Sequence, residues 1–253
     1  GPIPINNYTP LNAPKNKPLP TIVYFHGGGW VVGSRKGSDA LCRYMANKSG
    51  CRVFSIEYRL APEFKFPVPV EDCFAALDFI NKNHKDLLVD KNKLVVAGDS
   101  AGANLATVVA IMARERKDIN LAYQLLIYPA TDASSHYPSY DENSKGFLLE
   151  KSSMDWFYDH YLPNDDARKD WRVSPILAED LSNLPPSYII TVLADPLRDE
   201  GRAYVEKLKE NGNDVEHVEY SDTLHAFFSW ATVFESSKKA VDKACKSINK
   251  ALG

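Results

Sequence analysis

Short runs of nearly uninterrupted apolar residues alternate along this chain with longer stretches whose apolar positions return every three or four residues. The short runs fall at residues 21–25, 51–58, 93–97, 122–128 and 187–193 and read as strands, as does the alternating Val215 to Tyr220. The longer stretches lie at 38–48, 68–83, after Ser100, at 198–210 and at 233–248, and carry a helical period. Phe74, Leu77, Asp78 and Ile80 set that period in the second helix, which prolines open, and Asn211-Gly212 closes the helix at 198–210. The helix after Ser100 is read as having one apolar face. Ile3-Pro4-Ile5 followed by Tyr8-Thr9-Pro10 reads as an edge strand. Strands apolar at successive positions are covered on both faces, and strand–helix alternation makes such a sheet mostly parallel. The pattern predicts an α/β fold with helices on both faces of a central sheet.

One interval breaks the alternation. Residues 130–185 are far too long for an ordinary connection and contain a helix-like piece at 150–162. Met154, Phe157, Tyr158 and Tyr161 lie at i, i+3, i+4 and i+7, so they share one face. That face is expected to pack partly on the main body and partly to roof a pocket. The chain is therefore read as one domain, 1–253, with a helical cap inserted at 130–185.

Composition narrows the function. The chain has 253 residues, 44% hydrophobic and 25% charged, which suits a globular domain with a sizeable core. A net charge of −3, with no basic stretch interleaved with aromatics, argues against nucleic acid as a partner. No apolar run is long enough to span a bilayer. Cys42, Cys51, Cys73 and Cys245 have neither metal-ligand spacing nor disulfide density, so no metal is expected and the thiols read as small core hydrophobes. Gly1-Pro2-Ile3-Pro4-Ile5 shows no signal-peptide pattern, and the expectation is a reduced, cytoplasmic setting.

The candidate chemistry centres on Gly98-Asp99-Ser100-Ala101-Gly102, between a strand and a helix. A sharp strand-to-helix turn strains the serine backbone and lifts its hydroxyl clear of the sheet edge. Glycines at both flanks leave room where a Cβ would meet the neighbouring strand or helix. His26-Gly27-Gly28-Gly29-Trp30 follows the first parallel strand, and consecutive glycines let backbone N–H groups approach a ligand closely. Acyl transfer needs such donors, each worth about 2.7–4 kcal/mol to the charged intermediate. A nucleotide cradle is disfavoured, because no G-K-[ST] follows and G-x-G-x-x-G is only half met. His26 itself reads as a brace for the loop.

A serine needs a base, and the base an orienting acid. Of the six histidines, His225 alone falls in the loop directly after the last strand, at the sheet edge where Ser100 emerges. Asp195, which closes the strand at 187–193, is the favoured acid. Asp199 stays as the alternative, in a first helical turn that suits a carboxylate anyway. Asp222 reads as a turn residue, and Asp99 as a brace of the serine turn.

Taken together, these segments resemble the bacterial hormone-sensitive-lipase-type carboxylesterases of the α/β-hydrolase fold. The resemblance rests on His-Gly-Gly-Gly-Trp at 26–30, Tyr-Arg-Leu-Ala-Pro-Glu at 58–63, Gly-Asp-Ser-Ala-Gly at 98–102, Asp-Pro-Leu-Arg-Asp-Glu at 195–200 and His-Ala-Phe-Phe at 225–228. It implies Ser100 as nucleophile, Asp195 as acid, His225 as base, and an oxyanion hole from the amides of Gly28, Gly29 and Ala101. It also implies short-acyl esters as substrates and no cofactor. Trp30, Met154, Phe157 and Tyr158 are read as the substrate-facing side chains. Family members usually begin with helices that help build the cap, whereas residues 1–5 resemble the interior of a member. The expectation is an open pocket with an apolar surface beside it, and pairing with a second copy to cover it. An amide or formamide hydrolase and a non-catalytic ligand-binding protein on the same scaffold are the alternative functions; retention of His225 argues against the second.

Overall fold

Side chains alternate faces along a strand, so a sheet between two helical layers sorts its residues into two cores. The computed structural model, which describes residues 1–253, shows this sorting. The strands are β1 (Ile5–Tyr8), β2 (Leu19–Phe25), β3 (Arg52–Ile56), β4 (Val89–Asp99), β5 (Leu121–Ile127), β6 (Ser187–Ala194) and β7 (Val215–Leu224). The helices are α1 (Asp39–Ser49), α2 (Val68–Lys82), α3 (Ala101–Arg114), α4 (Pro138–Glu142), α5 (Lys151–Tyr161), α6 (Arg198–Glu210) and α7 (Glu235–Leu252). Val23 and Phe25 of β2 and Val96 of β4 face a core shared with α2, α3 and α6. Ile22, Tyr24, Val95 and Ala97, one residue out of step, face the core under α1 and α7.

The sheet order is β1-β3-β2-β4-β5-β6-β7, with β1 antiparallel to β3 and every other neighbour parallel. The chain leaves β2 toward β3 on one side and returns to β4 on the other. The strand order therefore reverses between β2 and β4, and the region beyond their carboxyl ends is where ligands of α/β sheets bind. The glycine loop leaves β2 there, and Ser100 leaves β4.

Several boundaries depart from the sequence pattern for physical reasons. β4 continues to Gly98 and Asp99 because these still pair with Leu126 and Ile127. β7 runs on to Leu224, which pairs with Ala194 after a register shift. The last helix starts at Glu235 rather than 233, because Val233 and Phe234 close the short 3-10 turn Phe227–Trp230. α3 is buried all round rather than along one face, being enclosed by the sheet and α2. The interval between β5 and β6 holds α4, α5 and the 3-10 turns Asp165–Lys169 and Pro175–Leu177. All four cysteines are free and buried. No helix is long and apolar enough to cross a membrane.

Leu126, wholly buried in the larger core, should lose about 2–5 kcal/mol of stability as Leu126→Ala in denaturant titration. Leu11→Ala, at a side chain 87% exposed, should change it by less than about 0.5 kcal/mol.

Candidate active site

β4 and α3 meet at Ser100 with no loop between them, and the bend is absorbed by one residue at φ 56°, ψ −121°. A non-glycine backbone there costs about 1–3 kcal/mol and persists only when its surroundings determine it. The Ser100 N–H donates to the Ile127 carbonyl at 2.8 Å. A Cβ on Gly102 would lie 2.0 Å from the Phe25 carbonyl oxygen, and one on Gly98 2.3 Å from Gly102. Only glycines allow β2, β4 and α3 to converge this closely, so the expected reason for both flanking glycines holds.

His225 follows β7 directly and is 7% exposed. Its Nε2 lies 2.9 Å from the Ser100 Oγ and its Nδ1 2.6 Å from the Asp195 Oδ2. A carboxylate only accepts hydrogen bonds, so the imidazole proton sits on Nδ1 and the Nε2 lone pair accepts from the Ser100 hydroxyl. Asp195 is wholly buried, and its second oxygen accepts from the Leu197 N–H at 2.9 Å. Asp199 is held instead by Arg198 at 2.7 Å and Arg202 at 3.2 Å, and the Arg198 guanidinium keeps it below the usual carboxylate range. Asp222 is exposed on β7. Of the three candidate acids, Asp195 is the one in contact with His225. Tyr128, which the sequence reading did not single out, packs its ring 4.5 Å from the imidazole.

The glycine loop is tied to the serine turn through Asp99, whose Oδ1 accepts from the Gly27 N–H at 2.9 Å and from the Tyr24 hydroxyl. His26 is buried, stacked 4.4 Å from Tyr58, and desolvation lowers its affinity for a proton. Tyr58 also donates to the His26 carbonyl at 2.6 Å, so His26 braces the loop. The amides of Gly28 and Gly29 donate to no acceptor in the chain. Ala101 opens α3, where an amide has no intrahelical acceptor. The N–H groups of Gly28 and Gly29, and that of Ala101 next to Ser100, are thus available to a ligand.

The four predicted pocket side chains divide. Phe157 keeps a partly exposed face and lies against Gly29, where a Cβ would come within 2.2 Å of its ring. Trp30 does not face open space. It is wholly buried and stacks 4.5 Å from Tyr161. Met154 and Tyr158 are also buried, 3% and 4% exposed. The apolar face of α5 closes over Trp30, so these three side chains serve packing and leave Phe157 at the surface above the loop.

A family model described as the α/β-hydrolase fold matches residues 22–229. The chain belongs to the α/β-hydrolase family. This α/β hydrolase is 36% identical over 253 residues to carboxylesterase NlhH of Mycobacterium tuberculosis, covering 99% of this chain and 79% of that protein. It is 33% identical to an ethyl acetate hydrolase of Pseudomonas putida, with 99% and 79% covered. A hyperthermophilic esterase from the archaeon Pyrobaculum calidifontis superimposes with a TM-score of 0.95 at 43% identity, covering 100% of this chain and 81% of that one. These relatives agree with the hormone-sensitive-lipase-type resemblance of its motifs.

A second buried acid of the α/β hydrolase lies close to Asp195. Glu200 is wholly buried, and its Oε1 accepts from the Thr131 N–H at 2.6 Å and the Asp132 N–H at 3.3 Å. Its Oε2 accepts from the Tyr140 hydroxyl at 3.0 Å. Burial pushes the carboxyl up from an ordinary value of 4.5 to about 8, against the pull of those donors and with help from the nearby Asp132 charge. Folding therefore favours the protonated form. Its contribution to stability is complete below about pH 4.5 and is lost as pH rises toward about 8. Glu200→Gln should remove this dependence: in denaturant titrations at pH 5 and pH 8, the variant should lose less stability with rising pH than the native chain.

Proposed function

We propose that this α/β hydrolase cleaves carboxylic esters with short acyl groups through a covalent acyl-serine intermediate. The observation that carries the reading is the unbroken hydrogen-bond chain Asp195–His225–Ser100, together with glycine-loop amides that have no acceptor in the chain. His225 Nε2 takes the hydroxyl proton as Ser100 Oγ bonds to the ester carbonyl carbon. The carbonyl oxygen gains a negative charge and turns toward the N–H groups of Gly28, Gly29 and Ala101. The tetrahedral adduct then collapses. The bond to the alkoxy oxygen breaks, and that oxygen leaves with the proton held by His225. Water repeats the sequence on the acyl-enzyme and releases the acid. Asp195 holds the imidazole in this tautomer and stabilises the imidazolium. The chain's own residues and water supply every group in this scheme.

The names of the relatives support the substrate class, since they are a carboxylesterase, an ethyl acetate hydrolase and an esterase. The interval 130–185 acts as a cap in this reading, with Phe157 reaching from α5 onto the glycine loop and limiting the space for the acyl group.

Ser100→Ala should abolish hydrolysis of p-nitrophenyl acetate with far-UV circular dichroism unchanged; retained turnover would refute the assignment. Asp195→Asn should lower kcat by about 10³–10⁴-fold through the wrong imidazole tautomer. Phe157→Ala should raise kcat/KM for p-nitrophenyl octanoate relative to acetate. An unchanged ratio would confine Phe157 to packing.

A further inference from the structure

The turn that carries Asp195 is held on two sides. Toward the reacting groups it meets His225. On its other side it is fastened to the beginning of the β5–β6 interval. α4 supplies most of that second fastening. The Ser139 hydroxyl donates to the Pro196 carbonyl at 2.6 Å, and the Asn143 side-chain amide donates to the Asp195 carbonyl at 3.3 Å. The Ser139 N–H donates to Asp199 at 3.0 Å, and Arg198 pairs with Glu142 at 2.7 Å. The innermost fastening is Glu200, whose carboxyl collects the two backbone amides at the exit of β5 and the hydroxyl of Tyr140 in α4. The Thr131 hydroxyl adds a bond to the Glu200 carbonyl at 2.9 Å.

We propose that Glu200 is a positioning residue for Asp195, locking the acid's turn to Thr131, Asp132 and α4 so that the carboxylate stays in register with His225. α6 begins three residues after Asp195, and Glu200 lies in its first turn with the side chain turned inward. Any slide of that turn relative to the β5 exit breaks three hydrogen bonds to a carboxyl that water does not reach. Unpaired buried donors cost about 1–3 kcal/mol each, so the turn has one favoured position. A fixed acid matters because a displacement of about 1 Å in a reacting constellation costs on the order of 10²-fold in rate.

The inference rests on the proposed esterase reading for its kinetic part, so the test includes a readout that needs no turnover. Glu200→Ala, Glu200→Gln and Tyr140→Phe are compared with the native chain. Steady-state hydrolysis of p-nitrophenyl acetate is measured on each, together with proton NMR of the His225 Nδ1–H that bridges to Asp195. Glu200→Ala should lower kcat by about 10–100-fold with KM changed less than about threefold, and should broaden or shift the bridging resonance. Glu200→Gln keeps one acceptor oxygen for the two amides and gains a donor toward Tyr140, so it should restore both readouts to near native. Tyr140→Phe should fall between them, and it answers the question if Glu200→Ala does not fold. An unchanged resonance and unchanged kcat in both Glu200→Ala and Tyr140→Phe would overturn the proposal. So would Glu200→Gln impaired as severely as Glu200→Ala. A native chain that shows the bridging resonance, its loss in Glu200→Ala and no turnover anywhere would sink the esterase reading while supporting the positioning role.

Discussion

The backbone of Ser100 is the constraint on which the rest of the site depends. A strand ends and a helix begins at this one residue, and the positive-φ conformation it adopts has no local compensation from its own side chain. What holds it is the packing of β2, β4 and α3 through two glycines, with the Ile127 carbonyl taking the Ser100 amide. The cost of about 1–3 kcal/mol is small beside the burial of α3, almost every residue of which lies inside the core. The same bend sets the hydroxyl against the His225 Nε2 and makes Ala101 the first residue of α3. It also turns the Asp99 carboxylate back to fasten the glycine loop. The Ser100 hydroxyl, the start of α3 and the glycine loop are all fixed by one turn.

The sheet brings the remaining groups to that turn. Parallel strands end on one edge, so residues that follow β2, β4, β6 and β7 gather there although they are far apart in the chain. Asp195 and His225 are separated from Ser100 by whole layers of sequence, yet each lies within a residue of a strand end. Their hydrogen bonds are made before any substrate arrives. The amides of Gly28 and Gly29 have no acceptor in the chain. Such preorganisation is what a charged intermediate requires, because donors that need not reorient stabilise it more than water does.

The parallel sheet was legible in the sequence because strands buried on both faces have no polar positions to interrupt them. Ser100 and Asp195 were legible as candidates because each directly follows such a strand, and His225 because it follows the alternating, half-exposed strand β7. Strand ends were harder to place, since β4 begins in the polar run Asp90-Lys91-Asn92-Lys93 and ends in Gly98-Asp99, neither of which looks apolar. Val233 and Phe234 look like the first turn of a helix but close a 3-10 turn instead. Trp30, Met154 and Tyr158 show the deeper limit. Spacing tells that they share an inward side, not whether that side meets protein or ligand, and here it meets protein. Glu200 was hidden because a glutamate in a first helical turn normally faces water and complements the helix dipole. Nothing in one dimension shows that this one points inward to Thr131 and Tyr140.

The central claim is that Ser100 attacks while the amides of Gly28, Gly29 and Ala101 receive the charge. The most direct measurement is a crystal structure of the chain after reaction with a p-nitrophenyl alkylphosphonate, whose adduct mimics the tetrahedral intermediate. The account predicts phosphorus bonded to the Ser100 Oγ, with the phosphonyl oxygen within about 2.7–3.1 Å of those three nitrogens. An adduct on another residue, or a phosphonyl oxygen turned to solvent with the three amides left unpaired, would contradict it.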